Sequence, residues 1–192
     1  MRKLLLSIMV LVAGATAAKA QFFVGGGLGF WDNKPVRWFS ISPDAGYSFN
    51  KHWTAGLSIV FDWHKDSDWS YYTGTVKTTS TYFKIEPYAR FKYFSTEKVN
   101  LFLDGVVGVS VHKLHSRVKD PNHSNDIDIV NPDPTIGFQV IIRPGIAVNL
   151  TEHFCLVGTF GALGYRQDYG SGNDGFGLDF SNSLRFGFYY SF

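Results

Sequence analysis

The last nine residues, Leu184-Arg185-Phe186-Gly187-Phe188-Tyr189-Tyr190-Ser191-Phe192, alternate between two kinds of side chain. Counting back from the last residue, every second side chain is large and apolar, and those between are polar, small or amphipathic. Successive side chains of a β-strand point to opposite faces, so this stretch predicts one strongly sided strand. Because an open apolar edge aggregates, such a strand needs either a sheet-on-sheet core or a closed barrel whose outer face contacts lipid.

The first twenty residues have the features of a cleaved export signal. Arg2 and Lys3 precede an apolar run that is too short to cross a bilayer, and the segment ends in Ala18-Lys19-Ala20. We therefore interpret residues 1–20 as a signal peptide and residues 21–192 as a single domain. A retained membrane anchor is the alternative to this interpretation.

Composition excludes several classes of protein. Three of the 18 basic residues lie in the signal peptide, which leaves 15 against 16 acidic residues, so we expect no nucleic-acid partner. The single cysteine, Cys155, excludes an internal disulfide framework. No later stretch approaches the length of apolar run that a transmembrane helix needs. The remaining class is an exported β protein in which 17% of residues are aromatic.

Period-two alternation recurs along the chain and predicts eight strands. The connections after the second, fourth and sixth strands are short, and those after the third, fifth and seventh are longer and polar, which is the layout of an outer-membrane barrel. We therefore predict an all-β fold, an eight-stranded antiparallel up-and-down transmembrane β-barrel. The predicted strands are 21–30, 36–49, 53–64, 81–94, 99–112, 135–150, 154–165 and the C-terminal strand, with longer loops at 65–80, 113–134 and 166–175.

One face of the predicted strands is apolar and uncharged, whereas the other carries acidic and basic residues in balance. A soluble barrel would turn its apolar face inward, but strict exclusion of charge indicates contact with hydrocarbon, where a basic residue costs about 2–4 kcal/mol. We therefore place the charges inside, as a salt-bridged plug. Glu86 is expected to pair with Arg90 or Lys84 and their neighbours Asp44, Asp104, Arg143 and Arg185, in a cross-strand register that the sequence leaves open. The predicted interior network comprises Asp44, Lys84, Glu86, Arg90, Asp104, Arg143 and Arg185.

Three prolines fall on the apolar face at matching distances before their turns: Pro43, Pro87 and Pro144. Proline removes a hydrogen bond from a sheet, so we expect a bulge or a bend at each.

Two tryptophans provide a measure of the apolar band. Trp53 and Trp63 lie on one face of a single predicted strand, ten residues apart. At about 3.3 Å per residue and a tilt near 40°, they are separated by roughly 25 Å along the barrel axis, the height of such a band. We therefore assign both to the lipid interfaces, together with Tyr47, Tyr93 and Tyr190.

The signal peptide, the eight strands, the short turns and the aromatic C-terminus resemble the small outer-membrane β-barrel family of OmpA- and OmpX-type proteins. The proline-containing strands that alternate with Gly-rich, aromatic ones resemble the version found in Bacteroidetes-type bacteria. The resemblance implies location in the outer membrane of a Gram-negative bacterium, but no shared activity. It also implies insertion by the barrel-assembly machinery, which recognises the C-terminal signal, here Phe186, Phe188, Tyr190 and Phe192.

Three functional hypotheses follow. The first is a structural or surface-interaction protein that acts through its extracellular loops, with outer-membrane lipid as a partner, an extracellular protein or glycan as a further ligand, and a monomeric state. In the loop 65–80, Trp69, Tyr71 and Tyr72 lie among Ser and Thr, which is typical of adaptable contact surfaces and of interfacial anchoring. The second is a small porin-like channel for ions or small solutes.

The third hypothesis is a lipid- or peptide-processing enzyme at the barrel rim, with Ser110 and His112, or Asp62 and His64, as its candidates. A nucleophile needs a base within hydrogen-bond reach, which the sequence alone does not establish, and we expect no enzyme. The loop 113–134 lacks the spacing of a calcium loop or a zinc site, so we also expect no metal and no cofactor. The residues considered there are His112, His115, Asp120, Asn122, His123, Asp126, Asp128 and Asp133.

Overall fold

A computed structural model describes residues 21–33, 36–70, 74–119, 127–130, 133–169, 174–179 and 185–192. The predicted signal peptide lies outside these residues. Within them, eleven strands form one antiparallel sheet. The strands are β1 (Gln21–Asn33), β2 (Val36–Ser48), β3 (Trp53–Ser70), β4 (Gly74–Ser95), β5 (Val99–Lys119), β6 (Ile127–Val130), β7 (Thr135–Asn149), β8 (Phe154–Thr159), β9 (Ala162–Gln167), β10 (Gly175–Asp179) and β11 (Arg185–Ser191).

The sheet closes on itself as a barrel of eight strands. β1 pairs with β2 on one side and with β11 on the other, so the first and last strands meet. β8 and β9 are the two halves of the seventh barrel strand, because both pair with β7, and β10 and β11 are the two halves of the eighth. The predicted all-β, eight-stranded antiparallel barrel is therefore confirmed. Among the described residues, no helix is long and apolar enough to span a bilayer.

The turn end of the barrel, which also carries Gln21 and Phe192, has short connections stabilised by their own side chains. The side-chain oxygen of Asn50 accepts hydrogen bonds from the backbone N–H groups of His52 and Trp53, at 2.8 and 2.9 Å. Such side-chain-to-backbone bonds satisfy a tight turn without a long loop. The three connections are residues 49–52, 96–98 and 150–153.

The opposite end, here the hairpin end, contains strands where the sequence predicted loops. β3 continues to Ser70 and β4 begins at Gly74, so most of residues 65–80 form a β-hairpin. β5 likewise continues to Lys119 and pairs there with β6. The loop predictions were wrong over these stretches. In the extension of β3 and β4, Ser and Thr occupy both faces, so no apolar face marks a strand there, although the backbones pair fully. In the extension of β5 and β6, the facing residues Val118 and Ile127 are apolar, but only four residues of each strand pair.

The outer face of the barrel is apolar, whereas the inner face carries the charges together with buried apolar residues such as Val106 and Ile141. Outward side chains such as Leu28, Phe83 and Phe188 are exposed, the last by 62%. The apolar belt consists of the outward residues between the turn end and the first outward charges, and no charged side chain is described within it. Those first outward charges are Arg37, Lys65, Lys77 and Lys113.

Of the three prolines, only Pro144 faces a bulge. The pairing of β7 shifts by one residue between β8 and β9, where Phe160 donates its N–H to the carbonyl of Pro144 at 3.1 Å and Gly161 has a φ of 71°. At Pro43 and Pro87 the register is the same on either side, so the expected bulges are absent there. Because proline has no N–H group, the sheet lacks one backbone hydrogen bond at each of these positions, but neither strand contains an extra residue there.

Candidate functional site

All seven residues of the predicted interior network project from the inner face of the barrel. They fall into two layers and one further ion pair. The Arg90 layer, nearer the turn end, comprises Asp44, Tyr88, Arg90, Phe102, Asp104 and Tyr189. The Glu86 layer, nearer the hairpin end, comprises Glu86, Gln139, Arg143, Tyr169 and Arg185.

The centre of the Arg90 layer is a two-point ion pair between facing residues of β4 and β5. Arg90 donates from Nε to Oδ1 of Asp104 at 2.7 Å and from Nη2 to Oδ2 at 3.0 Å. The guanidinium carbon lies 3.8 Å from the centroid of the Phe102 ring, a cation–π arrangement. Arg90 is 5% exposed and Asp104 is 1% exposed, so each charge depends on the other for compensation.

Asp44 completes this layer through two tyrosines. Its Oδ1 accepts a hydrogen bond from the Tyr88 hydroxyl at 2.8 Å, and its Oδ2 accepts one from the Tyr189 hydroxyl at 3.2 Å. The ring of Tyr88 lies over Gly56 on the neighbouring strand, where a Cβ would come within 2.4 Å of it. Glycine at this position therefore lets the ring lie flat against the barrel wall.

Glu86 is the convergence point of the second layer and has no exposed surface. Its Oε1 accepts hydrogen bonds from Gln139 at 3.2 Å and from the Tyr169 hydroxyl at 2.9 Å. Its Oε2 accepts from Nη1 of Arg143 at 3.4 Å and from Nη1 of Arg185 at 3.2 Å. One carboxylate therefore joins β4, β7, β11 and the connection after β9.

Among the predicted candidates, Arg143 and Arg185 contact Glu86, whereas Arg90 and Lys84 pair elsewhere. Arg90 is engaged by Asp104, and Nζ of Lys84 lies 2.8 Å from Oδ2 of Asp62. Residues two and four apart on one strand are separated by about 7 and 13 Å, whereas facing residues on neighbouring strands are about 5 Å apart. Glu86 therefore pairs with residues of other strands rather than with Lys84 or Arg90 of its own strand.

Tyr169 was not predicted, because it belongs to the connection after β9 rather than to a barrel strand. The chain reverses at Asp168, which has a φ of 51° and donates its N–H to Oδ1 of Asp174 at 2.8 Å. This reversal buries the Tyr169 ring over Glu86 from the hairpin end. Burial, and then the nearby carboxylate, raise the pKa of Tyr169, so its phenol stays protonated and donates. The only sequence signal was one aromatic residue in a polar, Gly-rich stretch.

Two cavities lie along the barrel interior. A vestibule of about 770 Å³ opens at the turn end, and Lys92 and Cys155 are among its lining residues. A second space of about 40 Å³, large enough for water, lies between the two layers and is lined in part by Arg143, whose buried Nε has no hydrogen-bond partner among the described residues. Arg90 and Tyr189 line both cavities.

The candidate catalytic residues do not form a nucleophile–base pair. Within the described part of the chain, Oγ of Ser110 and Nε2 of His112 are buried and each lacks a hydrogen-bond partner. Asp62 is engaged by the lysine of β4. His112 stacks on the Tyr82 ring at a centroid distance of 4.2 Å, and His64 contacts the same ring edge-on at 5.9 Å. The arrangement is an aromatic cluster at the hairpin end.

The candidate cation ligands of residues 113–134 are only partly described. His115 and Asp133 are exposed, and only the backbone of Asp128 is described. The described residues contain no group of three or more His, Cys, Asp or Glu side chains that could hold a metal ion. Asp120, Asn122, His123 and Asp126 lie outside the described residues, as do Tyr71 and Tyr72, and Trp69 is described by its backbone alone.

A solved structure with a similar fold is that of a bacterial outer-membrane protein. The chain is similar to a major outer membrane protein from Thermus thermophilus, with a TM-score of 0.51 and 16% identity over 90% of this chain and 99% of that one. The fold is that of an outer-membrane barrel. The chain is also similar to Neisserial surface protein A, with a TM-score of 0.39, 13% identity and coverage of 90% and 92%, and to the attachment invasion locus protein Ail of Yersinia pestis, with 0.42, 12% and coverage of 90% and 93%.

No family model and no curated protein matches the chain. At 16% identity the Thermus likeness extends to the fold alone. Membership of the OmpA- and OmpX-type family therefore stays a prediction.

In this outer-membrane barrel fold, the predicted interface aromatics lie on the outer face. Trp53 packs against Phe91 with ring centroids 4.9 Å apart, and Tyr190 contacts Phe154 and Phe192 at 5.1 and 5.0 Å. These contacts form an aromatic band around the turn end. The outward set also includes Tyr47, Tyr93, Trp63, Phe186 and Phe188.

Proposed function

We propose that this chain is an integral outer-membrane β-barrel protein with a surface-interaction role, exercised by the two hairpins at its hairpin end. The observation that carries this proposal is the asymmetry of the barrel. One end has three short, self-capped turns, whereas at the other β3–β4 and β5–β6 continue past the apolar belt as paired strands. Rigid extensions of this kind present side chains to a partner at a lower entropic cost than mobile loops.

The outer face supports residence in a membrane. A soluble monomer rarely exposes an apolar patch of more than a few hundred Å², whereas here the belt encircles the barrel. Hydrocarbon would cover that belt, and a closed barrel leaves no unpaired strand edge within it. We further propose that assembly in a Gram-negative outer membrane uses the C-terminal signal Phe186, Phe188, Tyr190 and Phe192, and that the protein is a monomer.

The cost in folding free energy of a charge placed at two depths of the outer face tests whether the barrel lies in a membrane. Val107→Arg places a cation near the middle of the belt, where Val107 is 54% exposed, and should cost about 2–4 kcal/mol of folding free energy in lipid vesicles. Thr79→Arg is the matched control, because Thr79 lies on the same outer face beside Lys65 and should cost about 0–1 kcal/mol. Equal costs at the two positions would contradict membrane burial of the belt.

The interior supports a closed barrel rather than an open channel. Glu86 and Phe102 have no exposed surface, and both layers cross the lumen. A small channel is the second candidate, favoured by the fact that the vestibule and the inner cavity share Arg90 and Tyr189 as lining residues. Single-channel recording in a planar bilayer distinguishes the two. We expect a silent bilayer, and steady steps altered by Glu86 or Arg143 substitutions would establish the channel instead.

Removal of the hairpins tests the surface-interaction role. Residues 66–78 are replaced by Asn-Gly, which keeps the facing pair Lys65 and Thr79, and residues 113–134 are replaced likewise beside the pair His112 and Thr135. Cells that display the full chain are then assayed on glycan arrays and on extracellular-matrix proteins. We expect adhesion that both deletions abolish while heat-dependent gel mobility shows an intact barrel. Adhesion that survives both deletions would refute the proposal.

A further inference from the structure

Three lysines form a compact patch on the outer face, directly above the apolar belt. Lys65 on β3, Lys77 on β4 and Lys113 on β5 all project outward from neighbouring strands. This lysine patch lies around Thr79, which pairs with Lys65 on one side and with His115 on the other. From strand spacing, the three lysine Cα atoms are separated by about 8 to 14 Å.

The lysine patch is not neutralised by its described surroundings. Within the described residues, none of the three lysines has an acidic partner. Arg37 and Arg117 flank the patch, facing Lys65 and Lys77 respectively, but each faces an aspartate on its other side, Asp32 and Asp128, and has other interactions. The positive charge of the patch is therefore that of its three lysines, on one side of the barrel.

The rest of the described chain lacks such a surface. On the opposite side of the hairpin end, the exposed charged side chains that the structure describes are Asp133, Asp168 and Asp174. At the turn end, Lys51 and Lys98 are balanced by Glu97 and Glu152. Among the described side chains, the excess of positive charge thus lies on one rim and on one half of its circumference.

The position of the lysine patch indicates its partner. Val111, Trp63 and Phe83, at the top of the apolar belt, lie on the same strands directly below it. A molecule that contacts both surfaces must have an apolar part at the depth of the belt and anionic groups at its edge, as a phosphorylated lipid does. Lysines at a membrane surface attract such headgroups, and their flexible stems let each ammonium reach a phosphate.

We propose that the lysine patch is a binding site for the phosphate groups of an anionic lipid in the leaflet that surrounds the hairpin end, with the acyl chains lying against the apolar belt. The lipid phosphates occupy one side of the barrel and fix its orientation relative to its neighbours. The proposal rests on membrane insertion, although not on any role of the hairpins in adhesion.

Native mass spectrometry of the full chain, expressed in a Gram-negative host, extracted and freed of lipid, tests the proposal. The probes are lipid A carrying both phosphates and the same lipid with its phosphates removed. We expect the wild type to prefer the phosphorylated form by about tenfold or more in apparent Kd, and the preference to weaken with added NaCl. The variant K65Q/K77Q/K113Q should lose the preference. The control K51Q/K98Q, which removes two exposed lysines at the turn end, should keep it.

Each outcome bears on the proposal. Heat-dependent gel mobility is measured first, to show whether the wild type inserts into vesicles. A wild type that fails to insert would refute membrane residence itself. An inserted wild type without the preference, or a triple variant that keeps it, would refute the lipid site alone. Complete displacement of the lipid by inorganic phosphate at equal phosphate concentration would indicate a free-anion site and would also refute it. All the substituted lysines lie on the surface, so the variants should fold.

Discussion

The two charged layers inside the barrel compensate buried charge in different ways. The Arg90 layer depends on one ion pair between facing residues, in which Arg90 is the only cation bonded to Asp104 among the described residues. In the Glu86 layer, one carboxylate accepts four hydrogen bonds, including those from Arg143 and Arg185. A pair of the first kind is completely broken by one substitution, whereas a convergent site of the second kind loses only part of its support.

The largest effect is expected from Arg90→Leu. The change leaves the nearly fully buried carboxylate of Asp104 without a cation, which should cost about 3–5 kcal/mol of unfolding free energy. Urea titration of the barrel in phosphatidylcholine vesicles, followed by gel mobility, measures the loss. The double variant R90L/D104L should recover much of it, since an apolar pair replaces an isolated charge. An unchanged urea midpoint for Arg90→Leu would contradict the claim that the Arg90 layer depends on a single ion pair.

Arg143→Leu should cost less, about 2–3 kcal/mol, because Glu86 keeps Arg185, Gln139 and the Tyr169 hydroxyl. The same titration measures the change. The double variant R143L/R185L should exceed the sum of its single variants, because only the second loss leaves the carboxylate without a cation. If the loss of the double variant equalled the sum of the single losses, the two arginines would not be coupled through Glu86.

The two layers also differ in how far the sequence predicted them. Alternation correctly placed the side chains of Glu86, Arg90 and Asp104 on one face, because it depends only on the period of a strand. The partners of Glu86 depend on contacts across the lumen: Arg185 is 99 positions away in the chain. No local pattern contains that information.

The hairpin end shows a second limit of prediction. Residues such as Lys77 and Thr78 lie on paired strands beyond the apolar belt, where neither face of the hairpin is apolar. Without an apolar face the sequence resembles a loop, although its backbone hydrogen bonds are those of a sheet. The strand pairing in the belt, by contrast, was predicted because lipid contact imposes a strict two-residue period.

The smallest effect is expected from Tyr169→Phe, which removes one of the four hydrogen bonds to Glu86. A hydrogen bond to a charged group typically contributes about 1.5 kcal/mol or more, and the ring still covers the carboxylate. Tyr88→Phe is the matched control, because it removes a hydroxyl from Asp44, which keeps Tyr189. Urea midpoints compare the two variants. A larger loss for Tyr169→Phe than for Arg143→Leu would reverse the order that the convergent layer predicts.

The bulge opposite Pro144 changes which residues of the seventh barrel strand face outward. In β8 the even-numbered residues, such as Phe154, face outward, whereas in β9 the odd-numbered residues Leu163 and Tyr165 do so. The additional residue at Phe160–Gly161 therefore shifts the alternation by one position, and apolar side chains remain on the outer face of both halves of the strand. Without such a bulge, a change of one residue in length would turn every later apolar side chain of a barrel strand into the lumen. This position, like the register shift between Lys92 and Phe94 in β4, lets the wall accommodate an odd residue.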